Sequence, residues 1–386
     1  MYLYGCQVCR QAEPEENFHF IESDIKNLDN PTQNNATKTV DYNNFIITFE
    51  SKLPTFGNYF NSDFNTLISP KIKAYMTEQP FKIKEEILVN TQVFEMKPVE
   101  FFNGNVYKGG WSPDLKMEGE GKYYLKDDGV FAEGVWREGN LFYARVFISK
   151  ENDLFDIYEG DIRYSTFNGK GKLLLSDGMI YEGDFEDGER TGNGKIIYLD
   201  GTIYEGQIEK AELKGNGKMT WKNGYEYEGY FKNNKLSGNG ILKGPRGDVY
   251  EGEFLNNLFH GNGKYTYSNG NSYEGQFQYG VKKGKGVYKC LNLYEYDGDW
   301  DNDLPCGPGK LSDWDKTGTI KNTWRYGKLM ETPNYEKGNS ENFKNIDINI
   351  MPDKMDLKIR DLKNIENPET QSTQYKLGTT PSFLED

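Results

Sequence analysis

Residues 181–203 read YEGDFEDGERTGNGKIIYLDGTI, and the same arrangement begins again at Tyr204. A Gly-x-Gly follows each starting tyrosine at offsets of 11 and 13 residues, here at Gly192 and Gly194. Successive starts are 23 residues apart, which indicates a repeat architecture in which each repeat is one supersecondary unit. The repeats start at Tyr158, Tyr181, Tyr204, Tyr227, Tyr250, Tyr273 and Tyr296.

Upstream of Tyr158, two weaker units extend the series. The first starts at Tyr107 and is one residue longer, and the second, starting near Phe131, has lost its Gly-x-Gly. A last half-unit, residues 319–325, keeps Trp324 and is typical of a cap on the sheet end. The sequence therefore predicts nine units and three regions: an irregular N-terminal extension (1–103), the repeats (104–326) and a polar C-terminal tail (327–386).

Within a unit, the apolar residues alternate with polar ones. Tyr181, Gly183 and Phe185 fall on one face of a strand, and Glu182 falls on the other. The second half of the unit has the same alternation, so each unit is predicted to be one β-hairpin. Asp200-Gly201 between units is typical of a two-residue hairpin turn in which both φ angles are positive.

A lone hairpin is only marginally stable in water, so successive hairpins must pair with one another. The predicted fold is all-β, an elongated single-layer antiparallel sheet of stacked hairpins with irregular extensions at both ends. Large side chains on the tyrosine side form either its packed core or a face that binds partners. The predicted partner-binding face comprises Tyr158, Tyr181, Phe185, Tyr204, Trp221, Tyr227, Phe231, Tyr250, Phe254, Tyr273, Phe277 and Trp300.

The repeated pattern Tyr-Glu-Gly-x-Phe/Trp, a turn, Gly-x-Gly and Asp/Asn-Gly resembles the MORN (membrane occupation and recognition nexus) repeat over about residues 104–326. The resemblance implies a twisted sheet whose aromatic groove accepts a peptide or helix. It also implies a scaffold role, as in radial-spoke-head and other axonemal proteins of this family. Affinity for anionic phospholipids, and attachment to phosphoinositide kinase or lysine methyltransferase domains, belong to the same family.

The chain has 386 residues and a net charge of −14, from 60 acidic and 46 basic residues. Nucleic acids and anionic bilayers are bound chiefly through clustered Lys and Arg, so this balance disfavours both. Residues 1–16 lack the basic and apolar regions of a signal peptide, and no stretch is apolar enough to span a membrane. Four sparse cysteines favour a reducing compartment, so we expect a cytoplasmic protein.

Each candidate for chemistry is incomplete. Cys6, Cys9 and His19 supply three zinc-ligand types where a structural site needs four. Alternate aspartates from Asp297 to Asp303 imitate a calcium loop without its glycine and final glutamate. The Gly-x-Gly elements lie within hairpins and do not form a phosphate loop, and His260 is expected in a solvent-facing turn. We therefore expect a non-enzyme with no cofactor and no metal.

The flanks are expected either to dock or to remain free. Residues 1–103 are rich in aromatics without an evident core, so they can order against the sheet or a partner. In the tail, the short apolar pieces 346–351 and 355–359 can dock on the sheet.

Two functions compete. The leading hypothesis is a non-catalytic scaffold that binds protein partners along the aromatic face, in a cytoskeletal assembly such as the ciliary axoneme. Its homo-oligomerisation through the sheet ends is possible because an open sheet can pair with a second copy. The alternative is a peripheral phosphoinositide-binding protein. Its best basic cluster comprises Lys282, Lys283, Lys285 and Lys289.

Overall fold

A computed structural model describes residues 60, 62–83, 85–88, 93–347, 349–350, 352–353, 355 and 357. Its contacts divide the chain into two compact units, of which the first ends at Lys222 and the second begins at Asn223. The predicted boundaries at 103 and 326 stay a prediction. Cys6, Cys9 and His19 lie outside the described residues.

The first unit is an antiparallel sheet of five consecutive hairpins, preceded by two short strands that pair with the first long strand. The strands are β1 (Phe94–Glu95), β2 (Val99–Glu100), β3 (Val106–Trp111), β4 (Met117–Leu125), β5 (Val130–Arg137), β6 (Asn140–Ser149), β7 (Phe155–Arg163), β8 (Thr166–Leu174), β9 (Ile180–Glu186), β10 (Glu189–Ile197), β11 (Ile203–Glu209) and β12 (Glu212–Thr220).

The second unit is an antiparallel sheet of four consecutive hairpins followed by a single strand and two short ones. The strands are β13 (Glu226–Lys232), β14 (Lys235–Lys243), β15 (Val249–Leu255), β16 (Leu258–Thr266), β17 (Ser272–Gln278), β18 (Val281–Cys290), β19 (Tyr294–Asp301), β20 (Leu304–Asp313), β21 (Thr319–Arg325), β22 (Lys328–Leu329) and β23 (Tyr335–Lys337). The prediction of open antiparallel sheets built from consecutive hairpins is confirmed in each unit.

Strand β11 shows the predicted alternation. Tyr204 and Ile208 are buried, whereas Glu205 and Gln207, on the other face, are exposed. We call the side that carries the repeat tyrosines the Tyr face, and the side that carries the following glutamates the Glu face. On the Glu face, Lys195 reaches Glu205 of the next strand at 2.7 Å, an ion pair between neighbouring strands.

The turns differ from the prediction. Within a hairpin the loop has two residues, and both Asp187 and Gly188 have positive φ, of 49° and 84°. Between hairpins the loop has five residues, and of the pair Asp200-Gly201 only Gly201 has positive φ. The expectation for Asp200 is therefore wrong. Its carboxylate accepts the N–H of Thr202 at 2.8 Å, a local bond that stabilises the longer loop.

A short helix that the sequence reasoning did not predict covers part of the first unit. Helix α1 (Pro70–Glu78) begins after Ser69, whose hydroxyl accepts the N–H of Ile72 at 3.3 Å. Residues of α1 and of the preceding 3₁₀ helix (Phe64–Leu67) pack on the Glu face, against side chains of β3, β5, β6 and β7. The buried cluster comprises Phe64, Ile68, Ile72, Val106, Phe131, Phe147 and Ile157. The expectation that this segment can order against the sheet is thus confirmed for the described residues.

Arg145 of β6 fastens the end of this helix to the sheet. Its Nη1 donates to the Gln79 carbonyl at 2.5 Å, and its guanidinium lies 5.0 Å from the Phe81 ring centroid. The side chain also approaches Glu133 at 3.6 Å and Glu159 at 3.2 Å. Because Arg145 is 5% exposed, these carboxylates and the carbonyl supply most of the partners that its buried charge requires.

Short strands cover the outer edge of the second sheet, so the predicted cap, residues 319–325, is not itself the outermost strand. The half-unit strand β21 pairs with β20 on one side and with β22 and β23 on the other. Ile350 of the tail is fully buried, and its N–H donates to the Gly327 carbonyl at 2.7 Å. The apolar pieces predicted to dock therefore do so at the described positions 350 and 357.

Candidate interaction surface

On the Tyr face, each repeat tyrosine lies flat over the two paired glycines of its own hairpin. For Tyr204 these glycines are Gly206 and Gly217, which oppose each other in the β11–β12 register. A Cβ atom on Gly217 would stand 2.6 Å from both Cε2 and the hydroxyl oxygen of Tyr204. The glycines are therefore required because the ring occupies the space in which their side chains would stand.

The tyrosine hydroxyl is satisfied within the repeat. The hydroxyl of Tyr204 donates to the Gln207 carbonyl at 2.7 Å, and the same bond three residues on recurs at Tyr158, Tyr181, Tyr227, Tyr250, Tyr273 and Tyr296. Burial raises the pKa of each of these hydroxyls above its usual value. They are neutral hydrogen-bond donors at physiological pH, which makes them structural groups.

A second recurring bond was not visible in the sequence pattern. The side chain three residues after the repeat tyrosine accepts the backbone N–H of the middle residue of the Gly-x-Gly. Examples are Asp184 with Asn193 at 3.1 Å and Glu253 with Asn262 at 2.8 Å. The position holds Asp, Gln or Glu in most repeats, and this mixture of residue types hid the shared role of acceptor.

All twelve side chains predicted to form the partner-binding face are at most 5% exposed. They pack on one another edge to face, as in Tyr250 with Phe277 at 5.1 Å between ring centroids. In this structure the twelve residues are the interior of the repeat array, the first of the two alternatives that the sequence left open. Partner contact with these rings stays a prediction, and a partner on the Tyr face meets first the residues that flank them.

In the second unit, the chain's own C-terminal segment lies on the Tyr face. We call the described residues of this segment, which are 349–350, 352–353, 355 and 357, the strap. Asp353 accepts hydrogen bonds from Nδ2 of Asn269 and Nδ2 of Asn271, each at 2.7 Å. The Leu357 N–H donates to the Tyr265 hydroxyl at 3.0 Å, and its side chain is 4% exposed. The repeat face of this unit thus accommodates an extended polypeptide.

A buried lysine lies beneath this region. Lys282 is fully buried, and its Nζ lies 5.3 to 5.9 Å from four ring centroids, those of Tyr267, Tyr273, Tyr288 and Trp300. Burial lowers its pKa to about 8, against the opposing attraction of Asp303 and then Asp353. The equivalent position holds Phe or Leu in four of the other six repeats, and Arg190 and Pro305 in the remaining two, so Lys282 departs from the commonest residue type at this position.

The four lysines proposed as a basic cluster do not form one. Lys282 points into the aromatic interior, and the other three lie beside carboxylates. Lys283 approaches Asp301 at 3.7 Å, Lys285 approaches Asp299 at 2.7 Å and Lys289 approaches Glu295 at 3.5 Å. The reason is strand alternation together with the acidic residues of neighbouring β19, two features that a count of lysines along the sequence does not register.

The residues weighed for chemistry are dispersed. His260 lies in strand β16 and not in a turn, half-buried, with its ring centroid 5.5 Å from that of Tyr279. Asp303 accepts the Lys282 backbone N–H at 2.8 Å. Within the described part of the chain, no cluster of three or more His, Cys, Asp or Glu side chains could hold a metal ion. Cys290 and Cys306 are half-buried. No helix among the described residues is long and apolar enough to cross a bilayer.

The fold and the glycine-cradled tyrosines define a protein of repeated β-hairpins. Seven segments match the family model of the MORN repeat. They are residues 158–180, 181–203, 204–224, 227–249, 250–272, 273–292 and 296–315. MORN repeats are interaction modules that bind proteins or membranes. No curated protein matches the chain, so the similarity to axonemal proteins stays a prediction.

Likeness to solved structures is slight. The TCP domain of SAS-4 (dCPAP) of Drosophila melanogaster, in complex with a proline-rich motif of Ana2 (dSTIL), is 14% identical over 40% of this chain and 84% of that chain, with a TM-score of 0.28. A catalytically inactive virginiamycin B lyase from Staphylococcus aureus with quinupristin is 12% identical over 56% and 73%, at 0.13. A streptogramin B lyase is 13% identical over 60% and 69%, also at 0.13. Scores this low support no argument about fold or function.

Proposed function

We propose that this protein is a non-catalytic scaffold that binds protein partners through its MORN repeats. The observation that carries the proposal is the strap, since a face that holds one extended polypeptide has the shape and the hydrogen-bonding groups to hold another. The polar residues weighed for catalysis lie apart from one another, which agrees with a binding role.

The assembly is proposed on the resemblance of the repeats to axonemal MORN proteins alone. We propose a cytoplasmic location, as a subunit of a large cytoskeletal structure such as the ciliary axoneme. Association of two copies through the sheet ends belongs to the same proposal. Short strands cover one edge of each sheet, β1 and β2 beside β3 in the first and β22 and β23 beside β21 in the second, and they leave few free backbone groups there for such association.

The test is proximity labelling in the native cell, followed by affinity capture with the full chain and with a chain lacking residues 104–326. We expect cytoskeletal proteins among the labelled neighbours and loss of the captured partners on deletion. Capture of every partner by the deleted chain would overturn the scaffold proposal.

Lipid binding is the second candidate function. The family resemblance favours it, whereas the ion pairs of Lys283, Lys285 and Lys289 with carboxylates argue against it. Flotation with phosphoinositide vesicles compares the wild type with Lys283→Glu/Lys285→Glu/Lys289→Glu. Lys282 is left intact because it is buried. The matched control replaces Lys170, Lys195 and Lys214, three exposed lysines of the first unit that also lie in ion pairs. Flotation that only the first variant abolishes would favour the lipid function over the scaffold.

A further inference from the structure

The strap contacts a repeat position whose residue type differs between the repeats. The position 17 residues after the repeat tyrosine holds Leu175, Tyr198, Trp221 and Tyr267 in four repeats, but Gly244 in the repeat that starts at Tyr227. A Cβ atom on Gly244 would stand 2.6 Å from Cδ2 of Leu357, and its other nearest neighbours lie at an ordinary 3.7 Å. Leu357 therefore fills a space that the chain's own repeat residue fills elsewhere.

Polar groups of the repeats bind the middle of the strap. Besides Asn269 and Asn271, the Tyr288 hydroxyl lies 3.4 Å from Oδ2 of Asp353. The ring of Tyr288 in turn lies over Lys282, whose Nζ is 5.9 Å from the ring centroid. This environment selects a carboxylate at position 353 of the strap. It consists of two amide donors, a hydroxyl and a buried positive charge, and each of these groups favours a negatively charged acceptor.

The strap is held without strand pairing. Its described residues belong to no helix or strand, and its backbone bonds to the sheet are those of Ile350 to Gly327 and of Leu357 to the Tyr265 hydroxyl. Asn349 adds a side-chain bond to the Leu329 N–H at 3.2 Å. The strap belongs to the same chain as the repeats, so it binds them at a high effective concentration. Because it is attached only at separate points, a free peptide can compete with it.

We propose that the Tyr face of the second unit is a recognition site for an extended acidic peptide of a partner protein, and that the strap occupies this site in cis as a competitor. The partner segment carries an aliphatic residue, an aspartate three residues later and a leucine four residues after that, as do Ile350, Asp353 and Leu357. The inference rests on the proposed scaffold function and names the chemistry of its partner.

The test uses the full chain and a fluorescent peptide with the sequence of residues 346–359. In the strap variant Asp353→Ala/Leu357→Ala, the site is vacated but intact. We expect the peptide to bind this variant at least tenfold more tightly than the wild type, by anisotropy. Adding Gly244→Leu, which restores the residue type of Leu175, should abolish binding because it fills the leucine seat in cis and in trans.

A peptide bearing the same two alanine substitutions is the matched control, and it leaves the protein unchanged. We expect it not to bind the strap variant. Equal binding of both peptides, equal binding to the wild type and the strap variant, or no binding to the strap variant would each overturn the proposal. Dimerisation of the wild type that the strap variant loses, measured by sedimentation, would overturn it in favour of strap exchange between two copies.

These outcomes are independent of the scaffold test. If the peptide fails to bind while partner capture still requires residues 104–326, the strap is a permanent part of the fold and the scaffold function stands. If capture fails and the peptide binds, the site is real but the proposed cellular role is wrong.

Discussion

The ring of Tyr158 lies over Gly171 so closely that a Cβ atom there would stand 2.5 Å from Cε2 of the tyrosine. The degenerate unit shows the converse. Ala144 opposes Gly134 in β5–β6 as Gly171 opposes Gly160 in β7–β8, and Ala132 stands where Tyr158 stands. Where the tyrosine ring is absent, alanine replaces the glycine that the ring would cover. The tyrosine and this glycine therefore form one packing unit.

This pairing predicts the cost of a methyl group. Gly171→Ala should destabilise the protein by about 1–3 kcal/mol, because the Tyr158 ring, stacked on Phe167 at 3.7 Å between centroids, must move. In a Tyr158→Ala background the same change should cost almost nothing, because the space is then empty. Urea unfolding of the four chains of this cycle measures the coupling energy. An equal cost in both backgrounds would show that the ring is not what excludes the side chain.

Loss of Arg145 should release helix α1 from the first unit. Arg145→Ala leaves Glu133 buried beside only Lys122 and removes the bond to Gln79, at a cost of about 3–5 kcal/mol. We expect faster hydrogen exchange over residues 70–79. The matched control is Lys122→Ala, which breaks an ion pair with the same Glu133 from a side chain that is 41% exposed, at an expected cost of at most about 1 kcal/mol. Unchanged protection of the helix in Arg145→Ala would refute the anchoring role.

Lys282 should make stability rise with pH in mildly alkaline solution. Burial lowers its pKa from 10.5 to about 8, so between these values the unfolded chain holds more protons than the folded one. The free energy of unfolding then increases by about 1–2 kcal/mol from pH 8 to about 9.5. Above about pH 10 the trend reverses, because the buried tyrosines have raised pKa values and ionise first in the unfolded chain.

The control for this profile is Lys282→Leu/Asp303→Asn, which removes the buried charges together and introduces the leucine found at this position in two other repeats. We expect a flat profile from pH 8 to 9.5 and a gain of about 1–4 kcal/mol at pH 7. A wild-type profile that is already flat, measured by urea unfolding at each pH, would contradict the lowered pKa of Lys282.

The sequence by itself determined the repeat unit. A fixed interval of 23 residues and strict alternation, as in Tyr204, Glu205 and Gly206, specify a strand, its buried side and its pairing, since strand geometry depends only on neighbours in the chain. The count of nine hairpins and the glycine cradles follow from the same periodicity. The loop types could not be predicted from the periodicity, because Asp-Gly is compatible both with a two-residue turn and with the last part of a longer loop.

Only the tertiary structure decided what lies on the two faces. Helix α1 and the strap are not repeats, and their contacts join residues far apart in sequence, such as Arg145 with Gln79 and Leu357 with Gly244. No local pattern encodes such a contact. The sequence shows that Gly244 lacks a side chain, but it does not show which distant segment fills the space beside it. Lys282 is of the same kind: its residue type is visible in the sequence, but its burial among four rings depends on three strands meeting around it.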